Sequence, residues 1–318
     1  MKALVTGVSG FAGSHLVDQL LARGIEVFGT VHRTREGIDR AVRQLPCDLL
    51  DQEEVRGVVH RVGPDQVYHL AAHSFAADRD PWRTLEGNVR GQLNLLEALR
   101  DSSARILVVG SALEYGPVRP EELPLTEDHA LCPTSAYALS KVAQDLMGYQ
   151  YHRSHGLFIV RVRPFNHTGP RRGERFMESD FARQIARAEA GLGPAVLSVG
   201  NLENRRDFTD VRDVVEAYRQ LLERGKPGEV YNVCSGRSWR IADVVETLVS
   251  KSRVAIRVEV DPERLRPDDV PVVEGSFERL GRLTGWAPRI PFQQSIEELL
   301  DYWRQRIRQE LAPGGLPR

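Results

Sequence analysis

Cysteine is scarce. Three occur in 318 residues, Cys47, Cys132 and Cys234, far apart and odd in number. They offer no disulfide framework and no zinc-ligand spacing, and each reads as a small buried hydrophobe. An excess of charge of one sign is lacking too. The 43 Lys and Arg against 44 Asp and Glu leave a net charge of −1, so no general electrostatic pull toward nucleic acid or membrane follows. No basic and aromatic run of the kind that binds nucleic acid is present. No apolar run approaches the ~20 residues that span a bilayer. Met1–Gly7 meets a glycine too soon to be a secretory signal. A cytoplasmic protein with no nucleic-acid and no membrane partner is expected. His152 and His155 stand at i and i+3 without acidic partners at ligand spacing, a surface pair rather than a metal site, so no metal is expected. The remainder is ordinary for a globular chain, 41% hydrophobic and 27% charged, which excludes bulk disorder.

At ~100–200 residues per domain, the length allows one large domain or two modest ones. Residues 1–165 alternate β-rich runs with amphipathic stretches. Lys2–Thr6, Glu26–Thr30, Asp65–Leu70, Arg105–Val109 and Phe158–Val162 read as strands. Phe11–Arg23, Glu53–Val62, Trp82–Arg100 and Ser135–His155 read as helices. This alternation predicts an α/β fold, a Rossmann-type doubly wound parallel sheet covered on both faces. Residues 166–310 read mainly as a smaller C-terminal α/β substrate lobe, with some segments returning to the sheet. Helices are expected at Glu178–Gly191, Val211–Arg224, Ile241–Ser252 and Phe292–Arg308, and short strands at Val196–Val199 and Arg257–Val260. Residues 311–318, rich in Pro and Gly, form a tail.

The first helix opens on Gly7-Val8-Ser9-Gly10-Phe11-Ala12-Gly13. In a strand–turn–helix context each glycine has a task. Gly7 permits the tight turn, Gly10 lets backbone approach a pyrophosphate, and Gly13 lets helix and strand pack closely. The helix N-terminus adds free N–H groups and the positive end of its dipole. The end of the second strand, His32-Arg33-Thr34-Arg35, carries no acid to hold a ribose 2′-hydroxyl. Its arginines, Arg33 first, suit a 2′-phosphate. NADP(H) is therefore the expected cofactor, with NAD(H) the second choice.

Tyr137-Ala138-Leu139-Ser140-Lys141 places Tyr and Lys at i and i+4 on one helix face. An ammonium beside a phenol lowers the phenol's pKa from ~10, poising Tyr137 for proton transfer. Ser111 lies just past the strand Arg105–Val109, at the carboxyl end of the sheet where such folds bind ligands. Its hydroxyl can bond the same substrate oxygen. Ser111, Tyr137 and Lys141 are the expected catalytic residues.

The G-x-x-G-x-x-G spacing and this triad resemble the extended short-chain dehydrogenase/reductase superfamily, in its nucleotide-sugar branch. The resemblance implies that Leu70, Ala71 and Ala72 lie against the cofactor and that Asp48 and Leu49 reach its adenine. It implies a homodimer through a four-helix interface built from Trp82–Arg100 and Ser135–His155, although those apolar faces would serve equally as core. Arg163-Pro164-Phe165-Asn166-His167-Thr168-Gly169-Pro170 is similar to the segment that closes over nicotinamide and sugar in the GDP-mannose 4,6-dehydratase group. Pro164 and His167 are accordingly assigned to the cofactor and Asn166 to the substrate. The stretch Phe176–Ile185 resembles the group's 4-keto reductases, which makes its Arg183 a further candidate for the substrate diphosphate. Arg205-Arg206-Asp207-Phe208 and Arg266-Pro267-Asp268-Asp269-Val270 look like diphosphate clamps, and paired guanidinium donors suit a diphosphate.

Reactions in this branch start or end with hydride transfer at sugar C4. The resemblance implies that this chain uses NADPH to reduce GDP-4-keto-6-deoxy-D-mannose to GDP-D-rhamnose. A 4,6-dehydratase would also need a base two residues after the triad hydroxyl, where this chain has Leu113. Glu114 follows, and one step along an extended segment reverses side-chain direction. Glu114 stays a candidate substrate-site carboxylate. A GDP-mannose 4,6-dehydratase is the first alternative, another nucleotide-sugar 4-epimerase or reductase the next, and a non-catalytic NADP sensor the most remote.

Overall fold

A computed structural model describes residues 1–32, 37–74, 80–265 and 270–312. The chain runs β1 (Lys2–Thr6), α1 (Phe11–Ala22), β2 (Glu26–Val31), β3 (Arg43–Pro46), α2 (Gln52–Val62), β4 (Gln66–His69), α3 (Pro81–Leu85), α4 (Gly91–Ala98), β5 (Arg105–Val109), α5 (Ala136–His155) and β6 (Phe158–Pro164). It continues β7 (Asn166–Thr168), α6 (Met177–Glu189), β8 (Val196–Val199), β9 (Arg205–Asp210), α7 (Val211–Arg224), β10 (Val230–Val233), β11 (Ser238–Arg240), α8 (Ile241–Ser250), β12 (Arg257–Val260), β13 (Val272–Val273), α9 (Glu278–Thr284) and α10 (Phe292–Leu311).

The central sheet has seven strands in the order β10-β6-β5-β4-β1-β2-β3, all pairs parallel. This is the Rossmann-type arrangement the alternation predicts. Strand order reverses between β1 and β4, and a crevice opens at that switch point above the carboxyl ends. Both faces are covered, so side chains alternate between two cores. Along β1, Ala3 and Val5 join one core with α1 and α7, while Leu4 joins the other with α2, α4 and α5. Helix α2 shows the local logic. Val55, Val58, Val59 and Val62 form its buried stripe, Asp51 caps the N–H groups of Glu53 and Glu54, and Gly63 ends it in the left-handed region.

The stretch expected as one helix over Trp82–Arg100 is instead α3 and α4 joined by a π-helical turn, Glu86–Arg90. The extra residue turns Asn88 inward. Its Nδ2 donates to Ser140 Oγ at 2.9 Å, and its Oδ1 accepts the His73 N–H at 2.7 Å.

The second half is divided in space. β8 pairs with β12, and β9 pairs with β7, β11 and β13. These strands and helices α6, α8 and α10 enclose a separate core around Phe181, Phe208 and Ile296. Helices α7 and α9 pack on the large sheet and β10 extends it. β9 and β10 were not legible as strands. β9 reads Arg-Arg-Asp-Phe-Thr-Asp, too polar to signal one, and β10 is four residues long. Cys47 and Cys234 are buried, but Cys132 is exposed, because it lies on the irregular segment before α5.

Asp207 on β9 holds the lobe's junctions together. Fully buried, it accepts from the Ser235 N–H (2.7 Å) and hydroxyl (2.6 Å), the Gly236 N–H (3.0 Å) and the Gly275 N–H (3.2 Å). Burial pushes its carboxyl up to about 6 against those donors. Asp207→Ala leaves these donors unmet, and we expect a loss of about 3 kcal/mol, read from the urea midpoint. An unchanged midpoint would remove Asp207 from this role.

Candidate active site

One cleft of about 980 Å³ runs from the glycine turn across the carboxyl ends of the strands to α6 and β9. At the turn after β1, Gly7 has φ +70°, and a Cβ there would lie 2.8 Å from the Ala71 nitrogen. A Cβ on Gly13 would lie 2.2 Å from the Gly7 oxygen. The Gly10 N–H bonds that same oxygen at 2.9 Å. Gly10 precedes α1 without a side-chain cap, which leaves the helix's first N–H groups to the cleft. The three bare positions make a cradle sized for a pyrophosphate, so the residues present fit a dinucleotide. Gly7, Gly10, Phe11, Ala12, Gly13, Leu70, Ala71, Ala72, Pro164 and His167 all line the cleft. His167 stacks nearly parallel on Phe11, 3° between rings whose centroids are 5.7 Å apart. Asp48 and Leu49 stand off the cleft wall at the end of β3, where Asp48 is 4.0 Å from His32. Arg33 lies outside the described residues.

Ser111, Tyr137 and Lys141 converge on the cleft. Ser135 caps α5 by accepting the Ala138 N–H at 3.1 Å, which sets the helix start so that Tyr137 and Lys141 share the cleft-facing side. Lys141 is buried. Its Nζ donates to the Val109 carbonyl (2.8 Å) and to Gln144 Oε1 (2.9 Å). Gln144 Nε2 donates to the Asn88 carbonyl and approaches His69 Nε2 at 3.4 Å, while His69 Nδ1 is 2.9 Å from Thr6 Oγ1. A continuous buried polar chain thus braces the lysine. Burial pushes Lys141 down to about 8 and His69 down to about 3. The expected lowering of Tyr137 by Lys141 is not found. Burial pushes the phenol up to about 12, resisted by hydrogen bonding with Ser111 and the field of Arg172. Lys141 Nζ stands over the Tyr137 ring, 5.9 Å from its centroid, and gives its hydrogen bonds to Val109 and Gln144, so burial prevails at the phenol.

Glu114 requires correction. It is fully buried and does not line the cleft. Ser111 to Tyr115 turn as a short 3₁₀ helix rather than an extended strand. Glu114 Oε1 accepts the Ser111 N–H at 2.7 Å, and its Oε2 accepts from Arg163 Nε at 3.1 Å. Arg163 also donates to Asp145 Oδ2 at 2.9 and 2.6 Å, and Arg161 donates to Asp145 Oδ1 at 2.7 Å. Two acids and two arginines balance in the interior. Burial and the neighbouring Asp145 push the Glu114 carboxyl upward, opposed by the Arg163 guanidinium that pairs with it. Gly110 makes room, since a Cβ there would meet Glu114 Oε1 at 2.2 Å. Leu113, by contrast, faces the cleft.

At the far end, Asn166 and Arg206 line the cleft. Arg183 does not; it pairs with Glu174 at 3.0 Å. Arg266 lies outside the described residues. Three features went unread in the sequence. Arg172 lies buried with its guanidinium 3.4 Å from the Phe176 ring centroid and 3.3 Å from Glu178. Arg264 lines the cleft and pairs with Asp180 at 2.7 Å. Gln144 braces Lys141, and its i+3 spacing was the one signal available.

The geometry suits acid-assisted reduction: a protonated phenol, a hydroxyl beside it and a lysine below, with arginines for phosphates. A family model described as GDP-mannose 4,6 dehydratase matches residues 4–299. The chain is 38% identical over 315 residues to GDP-6-deoxy-D-mannose reductase of Pseudomonas aeruginosa, covering 97% of this chain and 99% of that one. It is similar to the solved structure of Pseudomonas aeruginosa RMD complexed with NADPH, at 37% identity and TM-score 0.84 over 96% of this chain and 99% of that one. It is also similar to the UDP-glucose 4-epimerase of Thermus thermophilus complexed with NAD, at 33% identity and TM-score 0.85 over 96% of this chain and 99% of that one.

Removing Glu114 breaks a buried ion pair and orphans the Ser111 N–H. Glu114→Ala is expected to cost about 3–5 kcal/mol in urea unfolding; a cost below about 1 kcal/mol would mean that Glu114 is not built into the interior in this way.

Proposed function

The chain belongs to the GDP-mannose 4,6-dehydratase family, and within it we propose that it is an NADPH-dependent oxidoreductase that reduces the C4 keto group of GDP-4-keto-6-deoxy-D-mannose, giving GDP-D-rhamnose. The observation that carries this over dehydration is the pair Leu113 and Glu114. Dehydration needs a base to take the C5 proton. The cleft wall beside Ser111 offers the Leu113 side chain, and the adjacent carboxylate is committed to Arg163 behind it. Glu174, Glu178, Asp180 and Glu263 line the cleft further on; the first three are paired with Arg183, Arg172 and Arg264, and Glu263 stands next to Arg264, away from Ser111. A 4-keto reduction needs no such base. The relative from Pseudomonas aeruginosa at 38% identity is a reductase of the same chemical type.

NADPH, when bound, supplies the hydride. Gly7, Gly10, Phe11, Ala12 and Gly13 would hold its pyrophosphate through backbone N–H groups. Leu70, Ala71 and Ala72 would pack along it, with Pro164 and His167 at the nicotinamide. Asp48 and Leu49 are proposed for the adenine and Arg33 for the 2′-phosphate. Tyr137 stays protonated at neutral pH because burial raises it, and it gives that proton to O4 as charge develops there. Ser111 orients and polarises the same oxygen. Lys141, fixed by Val109 and Gln144, would hold the ribose hydroxyls and keep a positive charge beneath the phenol. Asn166, Arg206 and Arg264 are proposed to position the nucleotide diphosphate, and Arg266 is kept in that role from the sequence.

Helix α5 leaves Leu139, Leu146 and Tyr149 exposed, and α3 and α4 leave Trp82 and Leu93 exposed. Leu139, Leu146 and Tyr149 recur at i, i+7 and i+10, one helix face. Apolar surface of this kind supports a homodimer through these helices. No described helix is long and apolar enough to cross a membrane. The proposed cofactor and substrate are both charged and water-soluble, which suits the cytoplasm.

Absorbance of the reduced nicotinamide tests the reaction. NADPH is expected to be consumed when the 4-keto sugar is supplied, and not with GDP-mannose alone. GDP-mannose converted to a keto product without net NADPH loss would establish a dehydratase instead. Tyr137→Phe should abolish reduction, a loss of about 10²-fold or more, while NADPH still binds. Leu139→Glu with Leu146→Glu should convert a dimer into a monomer in sedimentation; an unchanged mass would place any interface elsewhere.

A further inference from the structure

Helix α7 presents Val211, Val214, Val215, Tyr218, Leu221 and Leu222 to the interior, all buried. By spacing, Tyr218 is one more member of that apolar stripe, and phenylalanine would pack there as well. What distinguishes it is the hydroxyl. The other buried tyrosines each have a partner. Tyr68 donates to Gln66 (3.1 Å), Tyr115 to Asn232 (2.7 Å) and Tyr151 to Glu97, and Tyr231 accepts the Lys226 N–H (3.2 Å). Tyr218 is 1% exposed, and no hydrogen bond to its hydroxyl is found among the described residues. An orphaned hydroxyl sealed in a core costs about 1–3 kcal/mol. Tyr218 is not among the sealed, unpartnered side chains; it forms part of the cleft wall.

Its position in the cleft is defined. Helix α7 packs against β5, β6, β7 and β9, and Tyr218 itself shares one core with Leu107 of β5 and Val160 and Val162 of β6, which places it at the reacting end of the cleft. Among the described residues, the titratable group whose field bears on it is Tyr137. Burial pushes the Tyr218 phenol well above its ordinary value, so it is neutral. Tyr137 and Lys141 come from α5 on one face of the sheet, and Tyr218 comes from α7 on the other. On the reading proposed above, this end receives a nicotinamide and a sugar C4. Ser111 and Tyr137 take the sugar oxygen, and Lys141 takes the ribose. Of the cofactor's own polar groups at this end, the nicotinamide carboxamide is the one with no hydrogen-bond partner named above.

We infer that the Tyr218 hydroxyl, reaching the cleft from the side opposite α5, hydrogen-bonds the carboxamide of the bound nicotinamide and so fixes which way the ring lies. It is a positioning residue, since it acts on the reaction through the orientation of the cofactor.

The test compares Tyr218→Phe with wild type in binding, without turnover. Dissociation constants are measured for NADPH and for 2′-phospho-ADP-ribose, the same molecule without its nicotinamide. Thermal melting of both proteins verifies that the packing is kept. The expected result is NADPH binding about fivefold to tenfold weaker, from one lost hydrogen bond, with 2′-phospho-ADP-ribose unchanged within about twofold. Equal weakening of both ligands, or of neither, overturns the inference while leaving the NADPH assignment standing. Failure of the wild type to bind either ligand overturns that assignment and this inference together.

Discussion

The site depends on how closely helix α1 can approach the turn that follows β1. A single methyl group at Gly13 would sit 2.2 Å from the Gly7 oxygen, and one at Gly7 would sit 2.8 Å from the Ala71 nitrogen. Backbone cannot yield to such contacts, so α1, β1 and the segment after β4 keep their spacing only with bare α-carbons there. That spacing aims the uncapped N–H groups of α1 into the crevice at the point where strand order reverses. The same packing holds Leu70–Ala72 as the opposite wall.

Beneath the crevice lie two buried hydrogen-bonded networks. One chain runs from Thr6 through His69 and Gln144 to Lys141, with Asn88 entering from the π-helical turn. A second joins Ser111 through Glu114, Arg163 and Asp145 to Arg161. Buried polar groups are costly when orphaned and rigid when satisfied. Each network ends on a residue proposed for catalysis, so the rigidity is delivered to Lys141 and to the Ser111 backbone. The high pKa of Tyr137 and the low one of Lys141 have the same origin, since burial favours the neutral form of both.

The choice of reaction turns on two neighbours. Had Ser111–Tyr115 run as an extended strand, Leu113 and Glu114 would simply alternate. The 3₁₀ turn does more, because it lets Glu114 cap its own start and meet Arg163. The carboxylate is therefore spent on structure, and the cleft beside Ser111 is apolar where a C5 base would have to stand.

Periodicity, glycine spacing and the Tyr-Lys pair were legible because they are local. A 3.6-residue stripe, a bare turn and an i, i+4 pair declare themselves within a dozen residues, and so the doubly wound sheet and the bare turn after β1 could be read from the amino-acid order, as could the meeting of Ser111, Tyr137 and Lys141 at one cleft. The resemblance of these motifs to a known family was legible for the same reason. Other features depend on residues far apart in the chain, and only the tertiary structure decided them. Glu114 looks like a free acid until Arg163, 49 residues away, takes it. Lys141 looks like a hydrogen-bond partner for Tyr137 until Val109 and Gln144 take its ammonium, which then faces the phenol only across its ring. Arg183 looks like a clamp until Glu174 claims it. Tyr218 reads as core until the cleft wall is traced to its ring. Charge and hydrogen bonding act through space at a few ångströms, and the sequence by itself carries no record of which distant groups come within that range.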